Sequence, residues 1–191
     1  QGARIKAVLE THLQADHVSG LPELVARTGA SAYLPAGAGV DFPHEPLADM
    51  DVVQLGNTEI QAVATPGHAT AHHAYLVTDH RRSHEPWFVL TGDALLVGDA
   101  GRPDLHAHGE HTVEGMAGAL YRSITERLLT LPDHLMLYPA HYSGSVCGRA
   151  LSGHPASTIG FERRHNAALR FDSEAAFVDA LTNDIPPEPD G

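Results

Sequence analysis

Side chains that bind metal ions are crowded close to the beginning of the chain. His12, Asp16 and His17 lie within six residues, in the run Thr11-His12-Leu13-Gln14-Ala15-Asp16-His17. Imidazole and carboxylate groups are ordinary ligands of zinc and of iron, and packing alone gives little reason for so dense a group of them. Residues 12–17 therefore predict part of a metal site.

Each of four candidate ligands follows a short apolar or alternating run that predicts a β-strand: His12, His68, Asp93 and His141. The four runs are residues 5–9, 58–64, 87–90 and 135–138. Strand ends hold side chains rigidly while the side-chain tips reach into a cleft. We therefore expect these four groups to converge on one site.

The remaining pattern predicts an α/β sandwich, because strands fall into two groups with helices between and after them. Further strands are predicted at 31–35, 51–55 and 74–77, and loops at 36–49 and 98–109. Helices are predicted at 21–27, from Thr112 to about Leu131, and near 158–169 and 173–183. We expect one domain over residues 1–184 and a proline-rich linker or tail over 185–191.

The composition narrows the classes of partner. The 191 residues carry a net charge of −12, with 24 acidic against 12 basic side chains. Such a surface repels a phosphate backbone, so nucleic acid is not an expected partner. No apolar run approaches the roughly 18 residues of a membrane span. The single Cys147 excludes an internal disulfide and suits a reducing cytoplasm.

Four motifs together resemble those of the metallo-β-lactamase superfamily: Thr11-His12-x-x-Ala15-Asp16-His17, Thr65-Pro66-Gly67-His68, Thr91-Gly92-Asp93-Ala94-Leu95 and Pro139-Ala140-His141. The stretch Gly101-Arg102-Pro103-Asp104-Leu105 and the run Tyr138–His141 are more narrowly similar to persulfide dioxygenases. Residues 144–149 and 157–160 resemble members that are fused to rhodanese domains. The resemblance implies an αββα sandwich. It also implies that N-terminal strands are missing from this sequence, because only eleven residues precede His12.

The resemblance implies two possible sets of ligands. One set is His12, position 14, His68 and Asp93, and the other is Asp16, His17, Asp93 and His141. Gln14 departs from the superfamily pattern, which has a histidine there, and its neutral amide is a poor replacement for imidazole. The first set then retains His12, His68 and Asp93, the two histidines and one carboxylate that hold Fe(II) in non-haem oxygenases. Two metals, or zinc in the second set alone, stay open as alternatives.

The function implied by the resemblance is oxidation of glutathione persulfide by O2, giving sulfite and glutathione, at a single Fe(II). Asp16, His17 and His141 would then orient ligands or contact substrate. A glyoxalase II-like thioesterase with two zinc ions is the first alternative. A degenerate, non-catalytic metal-binding domain is the second. The resemblance also implies a fused or separate rhodanese domain as a partner, and the oligomeric state, a homo-oligomer included, stays open.

Several residues receive weaker assignments. Arg102 is expected either to hold a substrate carboxylate or to pair with Asp104. Anionic glutathione needs local positive charge on an acidic protein, so further candidates for substrate binding are Arg149, Arg163 and Arg164. Cys147 is interpreted as a bystander thiol because no base stands near it in sequence. The remaining histidines near the motifs are interpreted as polar groups at a strand start, His72 and His73, or as a solvated loop cluster, His106, His108 and His111.

Overall fold

The computed structural model describes residues 2–183 and 185. The strands are β1 Ala7–Leu9, β2 Ser31–Pro35, β3 Glu45–Leu47, β4 Val52–Leu55, β5 Thr58–Ala64, β6 His73–Asp79, β7 Phe88–Gly92, β8 Met136–Pro139 and β9 Ser157–Thr158. The helices are α1 Leu21–Thr28, α2 Val113–Arg122, α3 Ile159–His165 and α4 Glu174–Asn183, with a π-helical segment at Ser123–Leu128 and a 3-10 turn at Ala167–Leu169. Of the predicted tail at 185–191, only Ile185 belongs to the described residues.

The strands form two sheets. The smaller has the order β1-β2-β3 with parallel pairing, and the larger has the order β4-β5-β6-β7-β8-β9. Apolar residues of β4, β5 and β6 pack against residues of the smaller sheet, so the two sheets lie face to face. Helix α1 packs on the outer side of the smaller sheet, and α2 and α4 cover the larger one. This arrangement confirms the expected αββα sandwich.

The main core lies between the larger sheet and the helices that cover it. Leu120, Ile124 and Leu128 are fully buried there, as expected for one stripe of an amphipathic helix. The Thr112 hydroxyl accepts a hydrogen bond from the Gly115 N–H at 3.1 Å and caps the start of α2, which confirms that predicted boundary. From Ser123 to Leu128 the backbone is π-helical, but the apolar stripe stays buried.

Two predicted boundaries are wrong. Residues 36–49 were expected to be a loop, but Glu45–Leu47 pair with β2 as the edge strand of the smaller sheet, where Pro46 is tolerated. The helix predicted near 158–169 ends at His165, because Asn166 is extended and uses its side chain for other bonds. Its amide nitrogen donates to the carbonyls of Leu96 and Asp99, at 3.2 and 3.0 Å.

The strand directions explain why ligands from distant parts of the sequence meet. β6 is antiparallel to both β5 and β7, so β5 and β7 run in the same direction, and β8 is parallel to β7. The ends of β5, β7 and β8 therefore lie at one edge of the larger sheet, followed by His68, Asp93 and His141. Within residues 2–183 and 185, no helix is long and apolar enough to cross a membrane.

Candidate metal centre

Three of the predicted ligands converge in the interior. His12, His68 and Asp93 are each fully buried. Asp93 Oδ2 lies 3.5 Å from His12 Nε2 and 3.6 Å from His68 Nε2. One ligand atom from each of the three residues lies within 4.8 Å of the others, close enough for all three to bind one ion.

Local backbone geometry directs these side chains to the site. The pairing of β7 with β8 shifts register between Leu90 and Gly92, an irregularity that re-aims the residues after it. Gly92 has φ of +54°, and a Cβ there would lie 2.4 Å from His72 Nε2. At Gly101, a Cβ would lie 2.0 Å from the Asp93 carbonyl oxygen. These two positions require glycine because backbone and side chains approach so closely.

The segment that carries His12 is fixed to the larger sheet by two hydrogen bonds. The Tyr75 hydroxyl donates to the Glu10 carbonyl at 2.7 Å, and the His73 backbone N–H donates to the Thr11 carbonyl at 2.8 Å. Both donors belong to β6, in the larger sheet. His12, which follows the smaller sheet, is thereby held against ligands that follow the larger sheet.

The second nitrogen of each imidazole is occupied by the protein. His68 Nδ1 donates to the Arg102 carbonyl at 2.8 Å, since a carbonyl can only accept. His12 Nδ1 lies 2.9 Å from the Thr11 hydroxyl. Donation from Nδ1 leaves the Nε2 lone pair available, which is the arrangement found in metal-ligating histidines.

The donor atoms fit a metal ion. His12 Nε2, His68 Nε2 and Asp93 Oδ1 are buried and have no hydrogen-bond partner among the described residues. A buried polar atom without a partner costs about 1–3 kcal/mol, so three together need a compensating interaction. An ion held by two imidazoles and a carboxylate supplies it, and this donor set suits both Fe(II) and zinc.

The charge states suit cation binding. Burial lowers the pKa of His68 to about 4, so its imidazole is neutral at pH 7. Burial raises the pKa of Asp93, but the hydrogen bond from His141 and the electrostatic interaction with the rings of His68 and His12 outweigh burial and hold that pKa well below its ordinary value. Neutral imidazoles and an ionised carboxylate are the protonation states that a metal requires.

The pKa of His68 predicts an acid-sensitive metal-free protein. Between pH 6.5 and about 4 the unfolded imidazole binds a proton that the folded one does not, so stability falls as the pH falls through this window. The free energy of unfolding is expected to fall by about 3 kcal/mol from His68 alone. Urea denaturation with chelator present, repeated across this range, measures it. His68→Gln should have a shallower slope, and identical slopes in the two proteins would contradict the assignment.

The second predicted set lies beside the first and is more exposed. Single ligand atoms of Asp16, His17 and His141 lie within 4.8 Å of one another, although Asp16 and His17 are exposed. His141 Nδ1 donates to Asp93 Oδ2 at 2.8 Å, and Ser145 donates to Asp16 at 2.8 Å. Hydrogen bonds with Asp93 and Cys147 raise the pKa of His141 to about 10. His141 therefore orients Asp93 and links the two sets.

His72, predicted to be a polar group at a strand start, has a further role beside the metal centre. The ring is buried, with Nδ1 2.8 Å from the Thr65 hydroxyl. The Asp93 backbone N–H donates to His72 Nε2 at 3.1 Å, so His72 supports the carboxylate ligand from behind. The only hint of this role in the sequence is that His72 follows the Thr65–His68 motif within a few residues.

Two further residues lie closer to the centre than the sequence indicated. Cys147, interpreted as a bystander, is fully buried, and its Sγ lies within 4.8 Å of ligand atoms of Asp93 and His141. His106, assigned to a solvated loop cluster, has a ring centroid 5.5 Å from that of His68. The other members of that predicted cluster, His108 and His111, are exposed.

The environment of Arg102 favours the second of its two predicted roles, the pair with Asp104. The side chain is 2% exposed and forms a two-pronged pair with Asp104, with Nε–Oδ1 and Nη2–Oδ2 distances of 3.1 and 2.6 Å. Nη1 lies 3.4 Å from the Val146 carbonyl. Arg102 therefore anchors its loop, which was the alternative considered for it.

The other three arginines are also engaged within the protein. Arg149 donates to the Ala180 carbonyl at 3.0 Å. Arg163 and Arg164 pair with Asp133, which precedes β8, whereas His141 follows it. Those two guanidinium groups thus lie toward the opposite end of β8 from the metal centre. Their contact with substrate stays a prediction that this position does not favour.

Comparison with known proteins agrees with this geometry. Residues 1–141 match the family model described as the metallo-β-lactamase superfamily. The chain is 31% identical over 177 residues to the mitochondrial persulfide dioxygenase ETHE1 of Bos taurus, covering 91% of this chain and 60% of that protein. It is 32% identical over 180 residues to a hydroxyacylglutathione hydrolase of Methylobacterium nodulans, covering 93% and 64%.

Among solved structures, a metallo-β-lactamase from Staphylococcus aureus subsp. aureus COL superposes with a TM-score of 0.91 at 32% identity, covering 98% of this chain and 57% of that one. The chain spans about three fifths of the length of the two relatives above. The two relatives are named for different activities, and their sequences are almost equally identical to this chain. The shared family model, the sandwich and the buried ligand set together show that this chain belongs to the metallo-β-lactamase superfamily.

Proposed function

We propose that this chain is the catalytic domain of a persulfide dioxygenase that uses one Fe(II) ion. The reaction consumes glutathione persulfide, O2 and one water, and gives glutathione and sulfite with release of two protons. The terminal sulfur is oxidised and O2 is reduced, so no further oxidant is required.

The buried set of His12, His68 and Asp93, with its three unpaired donor atoms, carries the proposal. Two imidazoles and one carboxylate leave coordination positions open for substrate and O2, which is the pattern of non-haem iron oxygenases. Gln14 supports the same reading, because a neutral amide at that position does not add the further imidazole that favours zinc. The 31% identity to a persulfide dioxygenase supports it independently.

The residues around the three ligands have positioning tasks. His72 holds the Asp93 backbone, while His141 holds one carboxylate oxygen and leaves Oδ1 without a protein partner. The Arg102 carbonyl orients the His68 ring. The Fe(II) ion, when bound, supplies the activation of the sulfur substrate and of O2. Interactions of this supporting kind are typically worth 10- to 100-fold in metal affinity or activity.

Oxygen uptake tests the proposal. Protein loaded anaerobically with Fe(II) is mixed with glutathione persulfide in an oxygen-electrode cell, and sulfite is measured at the end. We expect one sulfite per O2 consumed and no uptake with glutathione alone. Protein that holds Fe(II) but consumes no O2 above the metal-free control would contradict the function.

A dinuclear zinc thioesterase is the second candidate. It is favoured by the proximity of Asp16, His17 and His141 and by the 32% identity to a hydroxyacylglutathione hydrolase. Such an enzyme would hydrolyse a hydroxyacylglutathione thioester when loaded with zinc, and it would not consume O2. Measuring thioester hydrolysis and oxygen uptake on the same preparations, one loaded with zinc and one with iron, separates the two candidates.

A further inference from the structure

Two imidazoles besides the ligands flank the metal centre, and they differ in how their nitrogens are used. His72 lies 4.8 Å from the His12 ring, and both of its nitrogens have protein partners. The His106 ring lies 5.5 Å from that of His68 and 6.4 Å from that of His12. Its Nε2 is buried and lacks a hydrogen-bond partner within residues 2–183 and 185. His72 is saturated by the fold, whereas His106 retains an unused polar atom beside the ligands.

The loop that carries His106 is held in place. Arg102 pairs with Asp104 through two bonds, and its backbone N–H donates to the Cys147 carbonyl at 3.1 Å. The Ala107 N–H donates to the Asp104 carbonyl at 3.1 Å and closes a turn around His106. The same Arg102 supplies the carbonyl that orients His68. The His106 ring is therefore positioned before any ligand arrives, at a fixed place relative to His68.

His106 does not belong to the ligand set itself. Among the described residues, the groups of candidate ligand atoms that lie within 4.8 Å of one another, including that of His12, His68 and Asp93, do not contain His106. The His106 ring lies beside the ligands without belonging to them, and its Nε2 has no protein partner in the part of the chain that the structure describes. This arrangement allows a hydrogen bond to a molecule bound at the metal. In the tautomer with a proton on Nε2, this atom donates a hydrogen bond to an anion.

The net charge of the protein favours a hydrogen-bond donor for an anion beside the metal centre. The net charge is −12, and an anionic substrate needs local donors to enter a site that contains the Asp93 carboxylate. The four arginines predicted to bind substrate form hydrogen bonds with protein groups. The buried Nε2 of His106, unpartnered within the described residues, is therefore the group best placed to donate a hydrogen bond to the anion.

We propose that His106 is a substrate-binding residue whose Nε2–H donates a hydrogen bond to the anionic sulfur of the substrate at the metal centre. The identity of that substrate as a persulfide rests on the function proposed above. Binding of a sulfur anion beside the metal does not depend on that function, because a hydrolase of this fold would also release a thiolate as its product. His106 thus favours the binding of anionic sulfur beside the metal ligands.

The direct test uses hydrosulfide as the probe and Co(II) as a spectroscopic replacement for the native metal. Wild-type protein, His106→Leu, His106→Gln and His111→Asn are loaded with Co(II), and the visible absorption bands are followed as hydrosulfide is added. His111 is the matched control, since it is an exposed histidine of the same region. Cobalt per chain and the melting temperature are measured for each protein before the titration.

We expect all four proteins to bind the same amount of cobalt. His106→Leu should bind hydrosulfide roughly tenfold to a hundredfold more weakly, the size of a hydrogen bond to a charged group. His106→Gln retains an N–H donor and should stay within a few-fold of wild type, as should His111→Asn. Equal hydrosulfide affinity in wild type and His106→Leu would overturn the proposal. Loss of cobalt in both His106 variants would also overturn it, because His106 would then be a metal ligand.

Oxygen-uptake kinetics keep this proposal separate from the proposed function. In Fe(II)-loaded protein, His106→Leu should raise KM for glutathione persulfide by a larger factor than it lowers kcat. If wild-type protein consumes no O2, the dioxygenase function fails, and the hydrosulfide titration alone still decides the role of His106. If wild type is active and His106→Leu has an unchanged KM, the role of His106 is refuted and the function stands.

Discussion

Asp93→Ala is expected to abolish metal binding and turnover together. Asp93 provides the only carboxylate among the three buried ligands, and Oδ1 is available to the metal while Oδ2 accepts from His141. Loss of an outer-shell partner costs 10- to 100-fold in metal affinity, and loss of a direct ligand should cost more. Metal content after dialysis and oxygen uptake with glutathione persulfide measure the two effects.

Two companion variants make this result interpretable. Asp93→Asn retains the shape of the side chain but not its charge, so it should fold normally and still lose the metal. Asp41→Ala removes an exposed carboxylate and should leave both metal content and activity unchanged. An Asp93→Asn protein that binds iron with wild-type affinity would mean that Asp93 is not a ligand.

Gln14→His is expected to change which metal the protein prefers. The Gln14 side chain is half-buried, and its Oε1 is a buried atom without a hydrogen-bond partner in the described part of the chain. A histidine there would add a third imidazole beside His12, and imidazoles with carboxylate suit zinc. We expect zinc affinity to rise by a factor on the order of ten or more, with lower iron occupancy and loss of oxygen uptake.

A matched control separates the position from the residue type. Gln54→His also adds a histidine, but at an exposed position of β4, and should change neither metal preference nor activity. Iron and zinc per chain and oxygen uptake are measured side by side on the three proteins. Unchanged iron occupancy and rate in Gln14→His would show that position 14 does not choose the metal.

The ligand set was predictable because strand periodicity and ligand chemistry are both local signals. His12, His68 and Asp93 each follow a predicted strand, and imidazole and carboxylate groups at strand ends predict a metal site. The grouping of these three as one ligand set rested on the resemblance to the metallo-β-lactamase superfamily, because His12 follows the smaller sheet whereas His68 and Asp93 follow the larger one. The buried stripe of Leu120 and Leu128 followed from helical periodicity in the same way.

The supporting residues were not predictable, because their roles depend on contacts between distant segments. His72 and Asp93 are 21 residues apart, and their bond exists only because β6 and β7 are neighbours in the larger sheet. The protein partners of the arginines could not be predicted, for the same reason. Net charge indicates that an anion needs a cation, but it does not reveal that Asp104 already engages Arg102 or that the Ala180 carbonyl engages Arg149.

The central claim is that His12, His68 and Asp93 hold a single metal ion. The most direct test of it is the metal content per chain. The protein is produced with iron and zinc both supplied, purified without oxygen or chelator, and analysed for both metals. We expect iron near one per chain with little zinc, and loss of that iron in His68→Gln. Zinc near two per chain, or iron retained in His68→Gln, would contradict it.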